Sequence, residues 1–252
     1  MEAVAGAVAE AVAAAETAAE RASGLAALAD ATSSCTLCAL AEGRTQVVFG
    51  TGDPNAKLMF VGEAPGFHED KQGYPFVGQA GKLLDKLLAG IELTRDDVYI
   101  ANVLKCRPPG NRDPQQVEIE ACEQHLFKQV ALIEPRLIAT LGNFATKLLS
   151  GRPDGITKVH GEPREATLGD RTVTLYPLFH PAAALYTPAM MKTLEADFAR
   201  IPGLLGVEDT DRIGPAIEVP ADVPEAGEAI PAGVGVPSHD LAVDPDEQLD
   251  LF

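Results

Sequence analysis

Short apolar segments alternate with amphipathic ones through the middle of the chain, and this alternation restricts the fold more than any other feature. We predict four strands, at residues 57–61, 98–104, 136–141 and 172–179. We predict helices between and after them, at residues 78–88, 114–133, 142–149 and 188–201. Strands that alternate with helices form a parallel sheet covered on both faces. The sequence therefore predicts an α/β fold, a three-layer α-β-α sandwich with a central, mainly parallel four-stranded sheet.

Composition divides the 252 residues into three parts. Residues 1–30 are rich in alanine and predict an N-terminal helical extension. Residues 31–206 carry the alternating pattern and are expected to form the one folded domain. Residues 207–252 are rich in proline, glycine, alanine and acidic residues without periodicity, which predicts a disordered acidic tail.

The formal charge of −17 is concentrated at the two ends of the chain. Residues 1–30 hold five acids and one base, residues 207–252 hold twelve acids and one base, and the remainder holds 20 acids against 18 bases. The middle of the chain can therefore present a local basic face to nucleic acid. No apolar run reaches the roughly 18 residues of a membrane span, and no basic region of a signal peptide opens the chain. We expect a cytoplasmic protein that does not contact membranes.

The chain contains four cysteines. Cys35 and Cys38 form a C-x2-C pair, whereas Cys106 and Cys122 flank a turn rich in proline and glycine. Four cysteines are too few for a disulfide scaffold in a chain of this length. The spacing predicts one four-thiolate site, and the thiols alone allow either zinc or an iron–sulfur cluster.

Glycine-rich or polar residues follow three of the predicted strands. A glycine-rich loop begins at Gly62, Asn102 lies near the end of the second strand, and His180 follows the fourth. Ligands of parallel sheets bind beyond the carboxyl ends of the strands. Each residue also has an ordinary explanation, because such an asparagine is often a turn residue and such a histidine is often structural.

Several longer motifs follow one another along residues 35–201. They are GEAPG at 62–66, Glu69-Asp70, GYPFVGQAGKLLD at 73–85, NVLKCRPPGNRDP at 102–114, HPAA at 180–183 and the four cysteines. Together they resemble the family 4 uracil-DNA glycosylases, the iron–sulfur branch of the uracil-DNA glycosylase superfamily. The resemblance implies a [4Fe–4S] cluster on Cys35, Cys38, Cys106 and Cys122, with zinc as the alternative.

The resemblance also implies an enzyme that starts base excision repair. It would flip uracil out of single- or double-stranded DNA, hydrolyse the N-glycosidic bond and leave an abasic site. No lysine is placed by the motifs to attack the sugar, so we expect a monofunctional glycosylase. The alternative from another class is a non-catalytic iron–sulfur scaffold that binds DNA with the same fold.

Substrate binding is implied for five residues. Phe76 would stack on the flipped uracil, and Asn102 would read the base edge and reject cytosine. Glu69 would exclude the methyl group of thymine. Gly62 and Ala64 would line the pocket.

Catalysis is implied for two residues. His180 would stabilise the negative charge that builds on the leaving uracil. Glu63 is the nearest carboxylate in the first loop. It either positions water or stabilises the sugar cation, or it only shapes the loop.

Contacts to DNA are implied for five more residues. Leu185 would fill the vacated base position. Lys105, Arg107 and Arg112 either neutralise phosphates or only form a solvated rim, and the helix start at Gly142 could bind another phosphate. Tyr186 stands where family members often carry arginine, which puts one phosphate contact in doubt.

The last five residues, 248–252, resemble the bacterial sliding-clamp binding peptide. The resemblance implies that Gln248, Leu249, Leu251 and Phe252 bind a hydrophobic pocket of a clamp. The alternative is an apolar end that packs back on the domain. We expect a monomer that acts at the nucleoid.

Overall fold

The structure is a computed structural model that describes residues 2–169 and 171–206. The predicted acidic tail at 207–252 and the clamp-like peptide at 248–252 lie outside the described residues. Within the described ranges, no helix is both long and apolar enough to cross a bilayer.

The described residues contain six strands and ten α-helices. The strands are β1 Thr51–Gly52, β2 Leu58–Gly62, β3 Tyr99–Asn102, β4 Leu137–Leu141, β5 Arg164–Leu168 and β6 Arg171–Leu178. The helices are α1 Glu2–Ser33, α2 Leu40–Gly43, α3 Phe67–Gln72, α4 Gln79–Ala89, α5 Gln116–Ile133, α6 Asn143–Ser150, α7 Ile156–Val159, α8 Pro181–Ala184, α9 Pro188–Ala199 and α10 Ile201–Leu204. Single 3-10 turns lie at Arg95–Asp97 and Pro109–Asn111.

The strands of this part of the chain form one sheet in the order β1-β3-β2-β4-β6-β5. The central four strands are parallel, which confirms the predicted mainly parallel α/β sheet. The predicted count of four strands is wrong, because β1 and β5 add antiparallel edges. β1 is only two residues long, and β5 is a half-exposed edge with charged residues at Arg164 and Glu165, so neither shows a strand-like apolar pattern.

Strand β2 shows how the three layers form. Leu58 and Phe60 face one hydrophobic core, and Met59 and Val61 face the other. The first core is covered by α4 and α9, and Phe60 stacks on Phe198 of α9 with ring centroids 5.7 Å apart. The second core is covered by α5. Helices on both faces explain why β2 is a continuous apolar run, and they confirm the three-layer sandwich.

Helix α1 extends to Ser33, and its last turns pack against α5. Leu25 is buried there, and Arg21 pairs with Glu134 at the end of α5. At Gly24 a Cβ atom would lie 3.0 Å from a methyl group of Leu132, so the two helices approach closely at this glycine. The domain boundary at residue 30 stays a prediction.

The start of α5 differs from the sequence expectation. A helix beginning at residue 114 implied Asp113 as its N-cap. The helix instead begins at Gln116, with Gln115 as N-cap and a capping box to Glu118. Asp113 is therefore left outside the helix, in the loop before it.

Candidate functional site

Three residues of the glycosylase motifs meet at the carboxyl ends of β2 and β3. Gly62 and Asn102 are directly paired in the parallel register of the two strands. A Cβ atom at Gly62 would overlap Asn102 Oδ1 and would lie 2.7 Å from Cζ of Phe76. Position 62 must therefore be glycine for the amide and the aromatic ring to come together here.

Asn102 supplies a buried hydrogen-bond acceptor with no partner. The residue is 2% exposed, and its Oδ1 makes no hydrogen bond. Two other buried side-chain atoms in the described residues share this state, Asn55 Oδ1 and Arg164 Nε. Asn55 precedes β2 and Arg164 begins β5, so of the three only Asn102 lies among the site motifs. A buried polar atom without a partner is unfavourable by about 1–3 kcal/mol, so this position suits a ligand that donates a hydrogen bond.

Phe76 and His180 form the adjoining wall. Their rings lie 5.7 Å apart with an angle of 27° between their planes. Phe76 is buried and has a φ of 55°, a conformation that a bulky residue rarely adopts. The surrounding structure must hold the ring in this position.

His180 is held as a neutral imidazole. Its Nδ1 accepts a hydrogen bond from the Ala182 backbone N–H at 3.1 Å, which leaves the proton on Nε2. The imidazole is largely desolvated, and this burial lowers its pKa to about 4. Gly142 lies against it, because a Cβ atom there would be 3.2 Å from His180 Cβ. At neutral pH the site therefore presents an N–H donor and not a cation.

Glu63 follows Gly62 directly and carries a perturbed carboxyl group. Burial, and secondarily the negative charge of Asp113, raises its pKa to about 7. The position of Asp113 in the loop before α5 makes this interaction possible. A carboxyl group that titrates near neutrality suits acid–base chemistry and is common at catalytic sites.

The Glu69 carboxylate binds backbone groups. Its Oε1 accepts hydrogen bonds from the N–H groups of Val77 at 2.9 Å and Gly78 at 3.3 Å. These contacts fix the loop after Phe76, and exclusion of thymine by Glu69 stays a prediction. Ala64 is partly buried and packs against the second core.

The prediction that Lys105 contacts phosphate is wrong. The residue is 1% exposed, and its Nζ donates to Asn102 O at 2.8 Å and to Gln129 Oε1 at 2.6 Å. Burial lowers its pKa to about 8. A lysine enclosed behind the strand end cannot reach DNA. Its burial depends on the tertiary contact with Gln129, which no sequence pattern predicts.

Two arginines of the same segment are nearer the surface. Arg107 lies 5.0 Å from the centroid of the Phe67 ring and donates from Nε to Asn111 Oδ1 at 2.6 Å. Arg112 donates to both carboxylate oxygens of Glu118, at 2.9 and 2.6 Å. That pair balances the charge of Arg112, so Arg107 is the better candidate of the two for a phosphate.

The remaining DNA contacts stay predictions. Leu185 ends α8, is partly buried and packs against the first core. Tyr186, beside it, is 69% exposed. Gly142 is the N-cap of α6, with a φ of 91° that favours glycine.

The four cysteines come together in space. All are free thiols, with Cys106 and Cys122 buried and Cys35 and Cys38 partly buried. They line one small cavity. Within the described ranges, no three or more His, Cys, Asp or Glu side chains are arranged to hold a single metal ion.

Polar groups contact three of these sulfur atoms. The Lys105 backbone N–H donates to Cys122 Sγ at 3.2 Å, and Arg44 Nη1 lies 3.6 Å from Cys106 Sγ. His125 Nε2 lies 3.4 Å from Cys35 Sγ. Such contacts orient thiolate ligands and tune the group they hold.

Sequence reasoning missed Arg44 and His125. A signal existed for His125, because it lies three residues after Cys122 on α5 and therefore shares its helix face. Arg44 lies in a loop, and its contact with the thiols depends on the tertiary fold.

Comparison with known proteins agrees with this geometry. Residues 49–200 match the family model of the uracil DNA glycosylase superfamily. The type-4 uracil-DNA glycosylase of Sulfurisphaera tokodaii is 48% identical over 173 residues, covering 67% of this chain and 79% of that protein. The type-4 enzymes of Archaeoglobus fulgidus and Saccharolobus solfataricus are 45% and 44% identical, covering 69% of this chain and 89% and 83% of theirs. This chain belongs to the uracil DNA glycosylase superfamily and, within it, to the type-4 uracil-DNA glycosylases.

Proposed function

We propose that this protein binds uracil-containing DNA and hydrolyses the bond between uracil and deoxyribose, leaving an abasic site. The observation that carries the proposal is the unpartnered, buried Oδ1 of Asn102. It lies beside the aromatic ring of Phe76, which stacks in turn near the neutral imidazole of His180. A pyrimidine base fits this combination of one aromatic face and polar groups directed at its edge.

Asn102 provides the selection of uracil over cytosine. Its Oδ1 accepts from uracil N3–H, and its amide NH2 donates to uracil O4. Cytosine presents the opposite pattern, so it would leave buried polar groups unpaired at a cost of about 1–3 kcal/mol each. Stacking of the flipped base on Phe76 contributes about 1–3 kcal/mol and does not depend on which base is bound.

His180 and Glu63 provide the chemistry. Because Nδ1 of His180 is occupied by Ala182 N–H, Nε2–H donates to a uracil carbonyl oxygen as negative charge grows there. The Glu63 carboxylate directs water to the sugar or stabilises its developing positive charge. Lys105 is enclosed and hydrogen-bonded, so it does not attack the sugar. The motifs place no other lysine for such an attack, and we therefore propose a monofunctional enzyme.

The same proposal includes a [4Fe–4S] cluster on Cys35, Cys38, Cys106 and Cys122. Four free thiols around one cavity, with a backbone N–H directed at one sulfur atom, fit a group held by four thiolates. The resemblance to the type-4 enzymes favours the iron–sulfur cluster over zinc. When bound, the cluster acts structurally, joining the turn between Cys106 and Cys122 to the segment of Cys35 and Cys38. Iron and acid-labile sulfide in the brown purified protein support this assignment, and a colourless protein with stoichiometric zinc contradicts it.

The activity is tested with an oligonucleotide containing one uracil, followed by alkaline cleavage of abasic sites. We expect strand breaks with the wild-type protein and at least a roughly tenfold lower rate with Asn102→Asp, which removes the amide donor. Asn55→Asp is the matched control, because Asn55 also has a buried, unpartnered Oδ1 but lies before β2. A wild-type protein that yields no breaks contradicts the proposal. A non-catalytic scaffold is not favoured, because it needs neither the perturbed Glu63 nor the oriented His180.

A second partner is proposed from the sequence alone. The peptide at 248–252 would bind a bacterial sliding clamp and hold a cytoplasmic, monomeric enzyme at the nucleoid. Removing residues 248–252 should abolish clamp binding in surface plasmon resonance and leave excision on short oligonucleotides unchanged. Removal of residues 230–234 from the same tail is the control, and equal clamp affinity of both deletions would contradict this partner.

A further inference from the structure

We infer that Arg95 is a positioning residue that holds Phe76 in the backbone conformation needed to stack on the flipped base. This inference rests on the proposed function. Arg95 lies in the 3-10 turn before β3, outside every motif that carries the glycosylase resemblance. It touches no residue to which a catalytic role is given above, so its effect on the reaction must pass through Phe76.

The backbone of Phe76 needs external support. Its φ of 55° lies in the left-handed region, which is unfavourable for an L-residue with a bulky side chain by about 1–2 kcal/mol. A relaxed φ would swing the ring away from Gly62 and His180, which it now contacts. Such a conformation persists only where neighbouring groups determine it.

Arg95 binds the carbonyl side of this strained residue. Its Nη1 donates to Pro75 O at 3.0 Å, and its Nη2 donates to Phe76 O. Nη2 also reaches Gly81 O at 3.5 Å, in the first turn of α4. The guanidinium plane is itself fixed by its Nε, which donates to Asp85 Oδ1 at 2.6 Å. One side chain therefore binds two consecutive carbonyl groups around Phe76 and joins them to α4.

Glu69 binds the other side of the same segment. Its carboxylate accepts from the N–H groups of Val77 and Gly78, the two residues after Phe76. The positively charged Arg95 therefore binds the carbonyl groups of residues 75 and 76. The negatively charged Glu69 binds the N–H groups of residues 77 and 78. Rotation about the Phe76 backbone would break bonds on both sides. Charge-assisted hydrogen bonds of this kind are about twice as strong as neutral ones.

The packing of α4 completes the support. A Cβ atom at Gly81 would overlap Phe76 O, so the helix approaches the strained peptide as closely as glycine allows. The planar guanidinium group of Arg95 lies where the helix meets this peptide and reaches the carbonyl oxygens of Pro75, Phe76 and Gly81. Lysine carries a single donor centre and cannot reproduce that geometry.

A double-mutant cycle separates positioning from general stability. We would measure kcat/KM on a uracil-containing oligonucleotide for wild type, Arg95→Ala, Phe76→Ala and the double variant, with melting temperatures for all four. We expect Arg95→Ala to lower kcat/KM by roughly tenfold in the wild-type background and by less than about threefold in the Phe76→Ala background. Arg95→Lys should recover part of the loss, and affinity for the same oligonucleotide without uracil should not change.

The controls exclude a simple loss of folding. Arg171→Ala removes an exposed arginine paired with Glu134, away from the site, and should leave kcat/KM unchanged. Equal losses from Arg95→Ala in both backgrounds would overturn the inference, because an effect independent of Phe76 is not positioning. A wild-type protein without excision activity would instead contradict the proposed function, so the two failures are distinguishable.

Discussion

The raised pKa of Glu63 makes the pH dependence of the reaction predictable. If the ionised carboxylate acts in catalysis, a pKa of about 7 leaves about 9% of the enzyme competent at pH 6, half at pH 7 and about 91% at pH 8. We therefore expect single-turnover excision of uracil to rise roughly tenfold between pH 6 and pH 8. His180 does not contribute to this change, because its pKa of about 4 keeps it neutral throughout the range.

The same pKa predicts an opposite trend in stability. The folded state raises the pKa of Glu63 from 4.5 to about 7, so it binds the proton more tightly than the unfolded chain between these values. The stabilisation of the folded state by protonated Glu63 is complete below pH 4.5 and is lost as the pH rises through about 7. Glu63→Gln mimics the protonated form, so its melting temperature should match wild type at pH 5 and exceed it at pH 8, while excision is strongly reduced.

Two further measurements test whether the Glu63 carboxylate acts in catalysis. Asp113→Asn removes the second cause of the raised pKa and should shift the activity profile towards lower pH. Asp96→Asn, an exposed acid of the 3-10 turn before β3, is the matched control and should leave the profile unchanged. A rate that is flat from pH 6 to pH 8, or a Glu63→Gln variant with wild-type activity, would refute a catalytic role. Glu63 would then only shape the loop.

Three other predictions concern the pocket, the core and the thiols. Gly62→Ala should lower excision by at least roughly tenfold with an unchanged far-UV spectrum, because the added methyl overlaps Asn102 Oδ1. Phe60→Ala should destabilise the fold by about 3–5 kcal/mol in denaturant unfolding, because the ring is fully buried and stacks on Phe198. Cys122→Ser should remove the visible absorbance and the bound iron, and unchanged iron content would exclude Cys122 as a ligand.

The sequence predicted β2, β3 and β4 because each is a short, mainly apolar run buried on both faces. It predicted β6 from its second half, residues 175–178, which is also buried. The motifs indicated candidate site residues, and the structure brings four of them, Gly62, Phe76, Asn102 and His180, together at the ends of the parallel strands. The edge strands were missed because edges need no apolar pattern, as the half-exposed Arg164–Leu168 shows.

Other features depend on tertiary structure and leave no local trace. Lys105 stands between Leu104 and Cys106 in the sequence. These neighbours do not indicate that Gln129 Oε1 accepts a hydrogen bond from the Lys105 ammonium group. Arg95 reaches Phe76 across 19 positions of sequence, and its pattern is that of an ordinary surface turn. Sequence motifs indicated candidate ligand-binding groups but not the residues that hold those groups in place.

Lys105 also connects the thiol cavity to the end of β3, where Asn102 lies. Its backbone N–H binds Cys122 Sγ, while its ammonium group binds the carbonyl of Asn102. Gln129 accepts from the same ammonium and donates to Phe49 O, which extends the network to the loop before β1. A displacement of Cys122 would therefore strain the peptide of Asn102 through a single buried residue. This connection gives the four cysteines a physical means of fixing the Asn102 amide, to which the proposed function assigns recognition of the base.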